Sequence, residues 1–129
     1  EAGFKEAFVA PYFFEMASYF QKADLIISRA GATTVAELIA SQKASLLVPF
    51  SQAAENHQVF NARELERIKA AEIILEEEFT PQLFADKIFY FLKYKEKISQ
   101  MEKNLFLLKT EDAAEKISNL CFKLMEREK

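Results

Sequence analysis

Asp24-Leu-Ile-Ile-Ser-Arg-Ala-Gly-Ala-Thr-Thr-Val-Ala-Glu37 is the stretch on which the fold turns. Its opening, 24–28, is short, apolar and β-branched, the composition of a buried strand. Gly31 ends the turn that follows. Val35, Leu38 and Ile39 then share one face of a helix expected over 34–41. The same order recurs downstream. A second strand is expected over 45–50, where Pro49 suits the strand end better than its interior. A helix follows over 56–69 and a third strand over 72–76. Upstream, 8–13 is a short, apolar, extended segment broken by Pro11, and a helix is expected over 14–22. Each strand reads as buried on both faces, and each is followed by a helix. The expected fold class is therefore α/β: a Rossmann-like parallel sheet flanked by helices.

The rest of the chain reads as a helical tail. Thr80-Pro81 sets a cap residue before a proline at the first helical position. Phe84, Ile88, Phe91 and Leu92 then form one apolar stripe. Ile98, Met101, Leu105 and Leu108 form a second, and Ile117, Leu120, Cys121, Leu124 and Met125 a third. Ordinary core packing explains all three.

Composition narrows the function. The chain has 129 residues, enough for a single domain, here taken as 1–129. Half of it is hydrophobic and 29% is charged, so it can bury a core, and its Phe, Leu and Ile content argues against disorder. With 17 basic and 20 acidic residues the net charge is −3, which offers no field for a nucleic-acid backbone. The single Cys121 cannot form an internal disulfide and fits a reducing, cytoplasmic compartment. No apolar run approaches the ~20 residues of a membrane-spanning helix. The opening Glu1-Ala-Gly-Phe-Lys-Glu6 carries neither Met nor a signal peptide and reads as the middle of a longer sequence.

Parallel strands deliver their strand-to-helix loops to one edge of the sheet, where such folds bind ligands. Two loops there stand out. In the first, Gly31 lets a ligand approach the backbone closely. The helix start after it offers N–H groups and a positive dipole end, which suit a pyrophosphate. Glu37, one turn on, could accept two ribose hydroxyls. Equally, Thr34-x-x-Glu37 is the pattern of a capping box, which needs no ligand. The second loop is Pro49-Phe-Ser-Gln-Ala-Ala-Glu-Asn-His-Gln58, with Asn61 beyond it. Asn56 is a candidate cap. Asn56, His57 and Gln58 form a neutral hydrogen-bonding surface of the kind that reads sugar hydroxyls, although a lone surface His is often idle. With no second His or Cys nearby, a metal site is not expected.

The motif Asp24–Glu37, followed by Leu47-Val-Pro-Phe50, Asn56-His-Gln58 and Asn61-Ala62, closely resembles the MurG family of glycosyltransferases. The resemblance runs from about residue 9 to residue 117. It implies the donor-binding, C-terminal part of a GT-B fold, and it implies UDP-N-acetylglucosamine as the ligand. Members of that family are peripheral on the cytoplasmic face of the cell membrane. They convert lipid I to lipid II in peptidoglycan synthesis by inverting N-acetylglucosaminyl transfer, and so serve cell wall biogenesis, division and shape. By the same resemblance, Tyr12 and Phe13 would meet the uracil ring, with Phe13 offering its backbone. Gly31, Ala32, Thr33 and Thr34 would lie along the diphosphate and sugar. Glu37 would hold the ribose, and the implied role favours that reading over the cap. His57 and Gln58 would read the N-acetylglucosamine hydroxyls, with Asn61 in the same set. No catalytic residue, metal or cofactor is expected within the chain, because the acceptor site and the base belong to the family's N-terminal domain.

Glycines usual in the family are replaced at two turns, leaving Gln42-Lys43 and Lys69-Ala70. The first strands of the family's donor domain are also expected to be missing. Their loss would leave Leu25 to Ile27 on a bare sheet edge, so self-association is expected. The alternative function is a donor-binding subunit of a split transferase that needs a partner chain. A degenerate domain without a ligand is a third, weaker option.

Overall fold

The structure is a computed structural model and describes residues 7–11, 15–52, 57–107 and, in the tail, 119, 122–123 and 125–126. Helix α1 (Met16–Lys22) leads into strand β1 (Ile26–Ser28), helix α2 (Ala32–Ser41) and strand β2 (Ser45–Leu47). Helix α3 (His57–Arg67) and strand β3 (Ala71–Ile73) complete the alternation. A short 3-10 turn, Glu76–Glu78, precedes the paired helices α4 (Pro81–Lys93) and α5 (Lys95–Leu107). The strands form one parallel sheet in the order β1-β2-β3. Its three rungs are Ile26–Ser45–Ala71, Ile27–Leu46–Glu72 and Ser28–Leu47–Ile73. The doubly repeated strand-helix order thus yields the expected α/β sheet.

The strands are shorter than their apolar runs. Leu25, Val48 and Ile74 flank them and are largely shielded, yet lie outside the ladders. Pro49 has no N–H to give a ladder and lies buried just past β2. The segment 8–11 joins no strand, and Val9 is 90% exposed.

The main core lies between the sheet and α2 and α3. Val35, Leu38 and Ile39 from α2 meet Leu47 of the sheet and Ala62 and Leu65 of α3. A second cluster joins Ala44 to Phe91 of α4 and Met101 of α5, with Leu25 and Ile98 against it. The first two tail stripes are therefore core in part, but Leu92 is 56% exposed and leaves its stripe. Met125 is exposed as well, against the packing expected of the third. The remainder of that stripe, with Leu108, lies outside the described residues.

Cap chemistry fixes the helix ends. The Thr80 hydroxyl accepts from the Leu83 N–H at 3.0 Å, and Pro81 follows it, as the sequence predicts. At the end of α2, Gln42 N–H donates to Ile39 O and Lys43 N–H to Leu38 O. At the end of α3, Lys69 N–H donates to Glu66 O and Ala70 N–H to Leu65 O. Both are Schellman motifs, and both place a non-glycine residue in the left-handed region: Gln42 at φ 57° and Lys69 at φ 59°. These are the two turns at which the sequence resemblance leads one to expect glycine. Lys43 adds a tie of its own. Its Nζ donates to Ala23 O at 3.0 Å and lies 3.9 Å from the Glu102 carboxylate on α5.

Candidate functional site

The loops after the three strands gather on one edge of the sheet, and polar side chains bind them together. The loop after β1 runs through Arg29, Ala30 and Gly31 into α2. Gly31 is the N-cap, with φ −64° and ψ 154°, an extended backbone that any residue adopts. A Cβ built there would meet only Gln58 Nε2, at 3.9 Å, an ordinary contact. Neither backbone strain nor crowding within the described chain calls for glycine at this position. Its lack of a side chain leaves room over the helix start.

Helix α2 begins two residues earlier than the sequence suggests. Thr34 is therefore inside the first turn and not at the cap, and the Thr34–Glu37 capping box does not form. The N-cap residue has no side chain with which to serve the first turn. Thr33 is exposed and Thr34 half-buried, while Ala32 is buried. Glu37, in the next turn, is exposed and borders a cleft of about 350 Å³ between α1 and α2. Met16, Ala17 and Phe20 line the cleft's α1 side, and Ala40 and Ser41 extend the α2 side. Tyr12, Phe13 and Asn56 lie outside the described residues.

Helix α3 grips the first loop from beneath. The Gln58 Oε1 accepts from the Phe50 N–H at 2.9 Å and from the Ala30 N–H at 3.3 Å. One carboxamide oxygen thereby joins the loop after β1 to the loop after β2. Asn61, one turn further along α3, donates from Nδ2 to Ala30 O at 3.0 Å and is fully buried. It lies under the loop and supports Ala30. Its Oδ1 is buried without a hydrogen-bond partner among the described residues. His57 occupies the first position of α3 and is half-buried.

Sequence reasoning missed a second network on this edge. Arg29 pairs with Glu76, which follows β3, and its Nη1 donates to Val48 O at 3.2 Å. The guanidinium also stands over the Phe50 ring, 5.5 Å from its centroid. The Ser51 hydroxyl donates to the other Glu76 oxygen at 3.0 Å. Arg29 lay in plain view within the Ser-Arg-Ala-Gly motif, but Glu76 read as the last residue of a strand, and nothing in spacing joins the two.

A larger cleft, of about 470 Å³, opens beside β3 and is lined by Lys69, Glu72, Lys87, Tyr90 and Lys97 among others. Glu72 and Lys87 pair within it at 2.7 Å, and none of the expected donor-binding residues lines it. Among the described residues no group of His, Cys, Asp and Glu side chains could hold a metal ion. No helix among them is long and apolar enough to cross a membrane.

Parallel strands, a glycine at the first helix start and loops braced by a carboxamide at one edge define a Rossmann-like α/β domain. Residues 2–117 match the glycosyltransferase family 28 C-terminal domain, and the chain belongs to that family. Among curated proteins it is similar to the UDP-N-acetylglucosamine–N-acetylmuramyl-(pentapeptide) pyrophosphoryl-undecaprenol N-acetylglucosamine transferase of Myxococcus xanthus. That relative is 38% identical over 93% of this chain and 31% of its own length. The enzyme of the same name from Thermodesulfovibrio yellowstonii is 42% identical over 95% of this chain and 34% of its own length. The crystal structure of Acinetobacter baumannii MurG matches with a TM-score of 0.69 at 32% identity, over 88% of this chain and 33% of that one. The chain thus spans about a third of the length of these relatives.

Proposed function

We propose that the chain is the UDP-N-acetylglucosamine-binding part of an inverting N-acetylglucosaminyltransferase that converts lipid I to lipid II. The observation that carries this reading is the start of α2. A helix of ten residues begins there at a glycine whose conformation the backbone does not demand, beside a carboxylate that borders a cleft. Backbone N–H groups and the helix dipole at that point suit the diphosphate of a nucleotide sugar.

In the proposed reaction, the muramyl C4 hydroxyl forms a bond to the anomeric carbon from the face opposite UDP. The bond from that carbon to the phosphate oxygen breaks, and its electron pair leaves with UDP. The start of α2 stabilises the charge that develops on the diphosphate. Glu37 holds the ribose, His57 meets the sugar, and Tyr12 and Phe13 meet the uracil. Gln58 and Asn61 serve chiefly by holding the loop at Ala30. The acceptor site and the base that takes the hydroxyl proton are assigned to the part of the relatives' length that this chain does not span. The whole protein is assigned to the cytoplasmic face of the cell membrane, where a lipid-linked acceptor is presented. The relatives carry this segment within one longer chain, which favours a single-chain transferase over a split one.

Calorimetric titration tests the reading. UDP and UDP-N-acetylglucosamine should bind at one site per chain, and ADP should not. UDP-N-acetylgalactosamine should bind more weakly than its C4 epimer, because a misplaced hydroxyl leaves buried polar groups unpaired. Equal heats for ADP and UDP would reject a uridine site.

A further inference from the structure

An arginine beside a glycine-led helix start reads at first sight as a phosphate ligand. In this chain the Arg29 guanidinium is committed elsewhere. It is ion-paired with Glu76, bonded to Val48 O and placed over the Phe50 ring. Glu76 in turn holds the Ser51 hydroxyl through its second oxygen. Residues after β1, after β2 and after β3 therefore converge on one carboxylate. Exposed ion pairs contribute little to folding, so stability alone gives this cluster no evident purpose. It does fix the course of residues 48–51, whose Phe50 N–H shares the Gln58 oxygen with Ala30. It also neutralises a carboxylate on the edge assigned to a dianionic diphosphate.

We propose that Arg29 is a positioning residue for the donor site, acting through Glu76 and the Phe50–Ser51 loop without touching the phosphates. The proposal rests on the donor-site reading above. Arg29 orients the second loop, the second loop shares Gln58 with Ala30, and Ala30 leads directly into Gly31. Glu76 is part of the same device.

A double-mutant cycle with UDP as the probe separates this role from direct phosphate contact. Arg29→Ala and Glu76→Ala should each weaken UDP binding roughly fivefold, and the double variant no further, the pattern of two residues acting as one unit. The melting temperatures of the single variants should stay at the wild-type value. Without any ligand, the Phe50 amide should exchange its hydrogen faster in both single variants. If Glu76→Ala binds UDP as well as or better than wild type while Arg29→Ala loses affinity, Arg29 contacts phosphate directly and the proposal falls. Losses that multiply in the double variant, or Phe50 exchange that does not change, also overturn it. A wild-type chain that binds no UDP removes the donor-site reading and this proposal with it, whereas binding by wild type together with an uncoupled cycle removes this proposal alone.

Discussion

Gly31 sits in a conformation open to any residue, with space where a side chain would go. A serine there should be a better N-cap, because its hydroxyl would accept from N–H groups of the first turn. Gly31→Ser is expected to raise stability by roughly 0.5 kcal/mol, through the cap and a less flexible unfolded chain. The same hydroxyl would occupy donors proposed to hold the diphosphate, so UDP binding should fall at least tenfold, or by about 1.4 kcal/mol. Thermal melts and titration on one preparation check both halves; a variant that melts higher and still binds UDP normally would show that the glycine serves something else. Glu37→Gln should cost about 1–3 kcal/mol of UDP affinity, the scale of a hydrogen bond to a charged group. Folding should not change, since Glu37 is exposed and closes no cap. Affinity that survives the substitution would remove the ribose role. At this scale one local motif of the sequence was misread. Thr34-x-x-Glu37 has the spacing of a capping box, and spacing cannot reveal that the helix starts two residues earlier. Gln58, expected at the sugar, and Asn61, expected among the donor-binding residues, carry carboxamides that suit a peptide as well as a hydroxyl. Only the folded chain shows that Ala30 claims both.

Elements stop where their termini are satisfied, and α2 and α3 stop in the same way. Each ends in a Schellman motif with a long polar residue in the left-handed region. That conformation costs an L-residue about 1–2 kcal/mol, and glycine's extra unfolded-state freedom returns part of it. Gln42→Gly and Lys69→Gly are therefore each expected to stabilise the chain by about 0.5–1 kcal/mol, read as a higher denaturant midpoint at unchanged slope. A lower midpoint for both would mean that the side chains themselves hold the turns. Glycine was expected at these turns by resemblance, and the positive φ of Gln42 and Lys69 is a physical reason for glycine to suit them. Strand limits were less legible. The apolar runs 24–28 and 45–50 continue past the three-residue ladders, because burial depends on the layers above and below while pairing depends on the neighbouring strand. Thr80-Pro81 was legible in full, since a local cap needs no tertiary partner.

Across the whole molecule the sheet is closed unevenly. β2 is buried along its length, whereas among the described residues β1 pairs on one side only, and Ile27 is 43% exposed. Leu92, Phe89 and Phe106 add exposed apolar surface on the tail helices. An uncovered apolar edge strand is a template for another chain. The chain is therefore expected to self-associate at micromolar concentration, and light scattering coupled to size exclusion should show a mass that rises with loading. Ile27→Lys should shift the distribution toward monomer; a wild-type monomer at high concentration with protected amides at 25–27 would refute the expectation. The bare edge could be inferred beforehand from strand order, but the Arg29–Glu76 bridge could not, because its partners are distant in sequence and meet only once three strands align. The grip of α3 on Ala30 bears on how such a domain can move. With the Ala30 N–H held by Gln58 and the Ala30 carbonyl by Asn61, the two peptide units that flank Ala30 are each tied to α3 and resist flipping. The turn thus has no private hinge: a change at the start of α2 is felt by α3, whereas the cleft that Glu37 borders, between α1 and α2, is spanned by no such tie to Ala30.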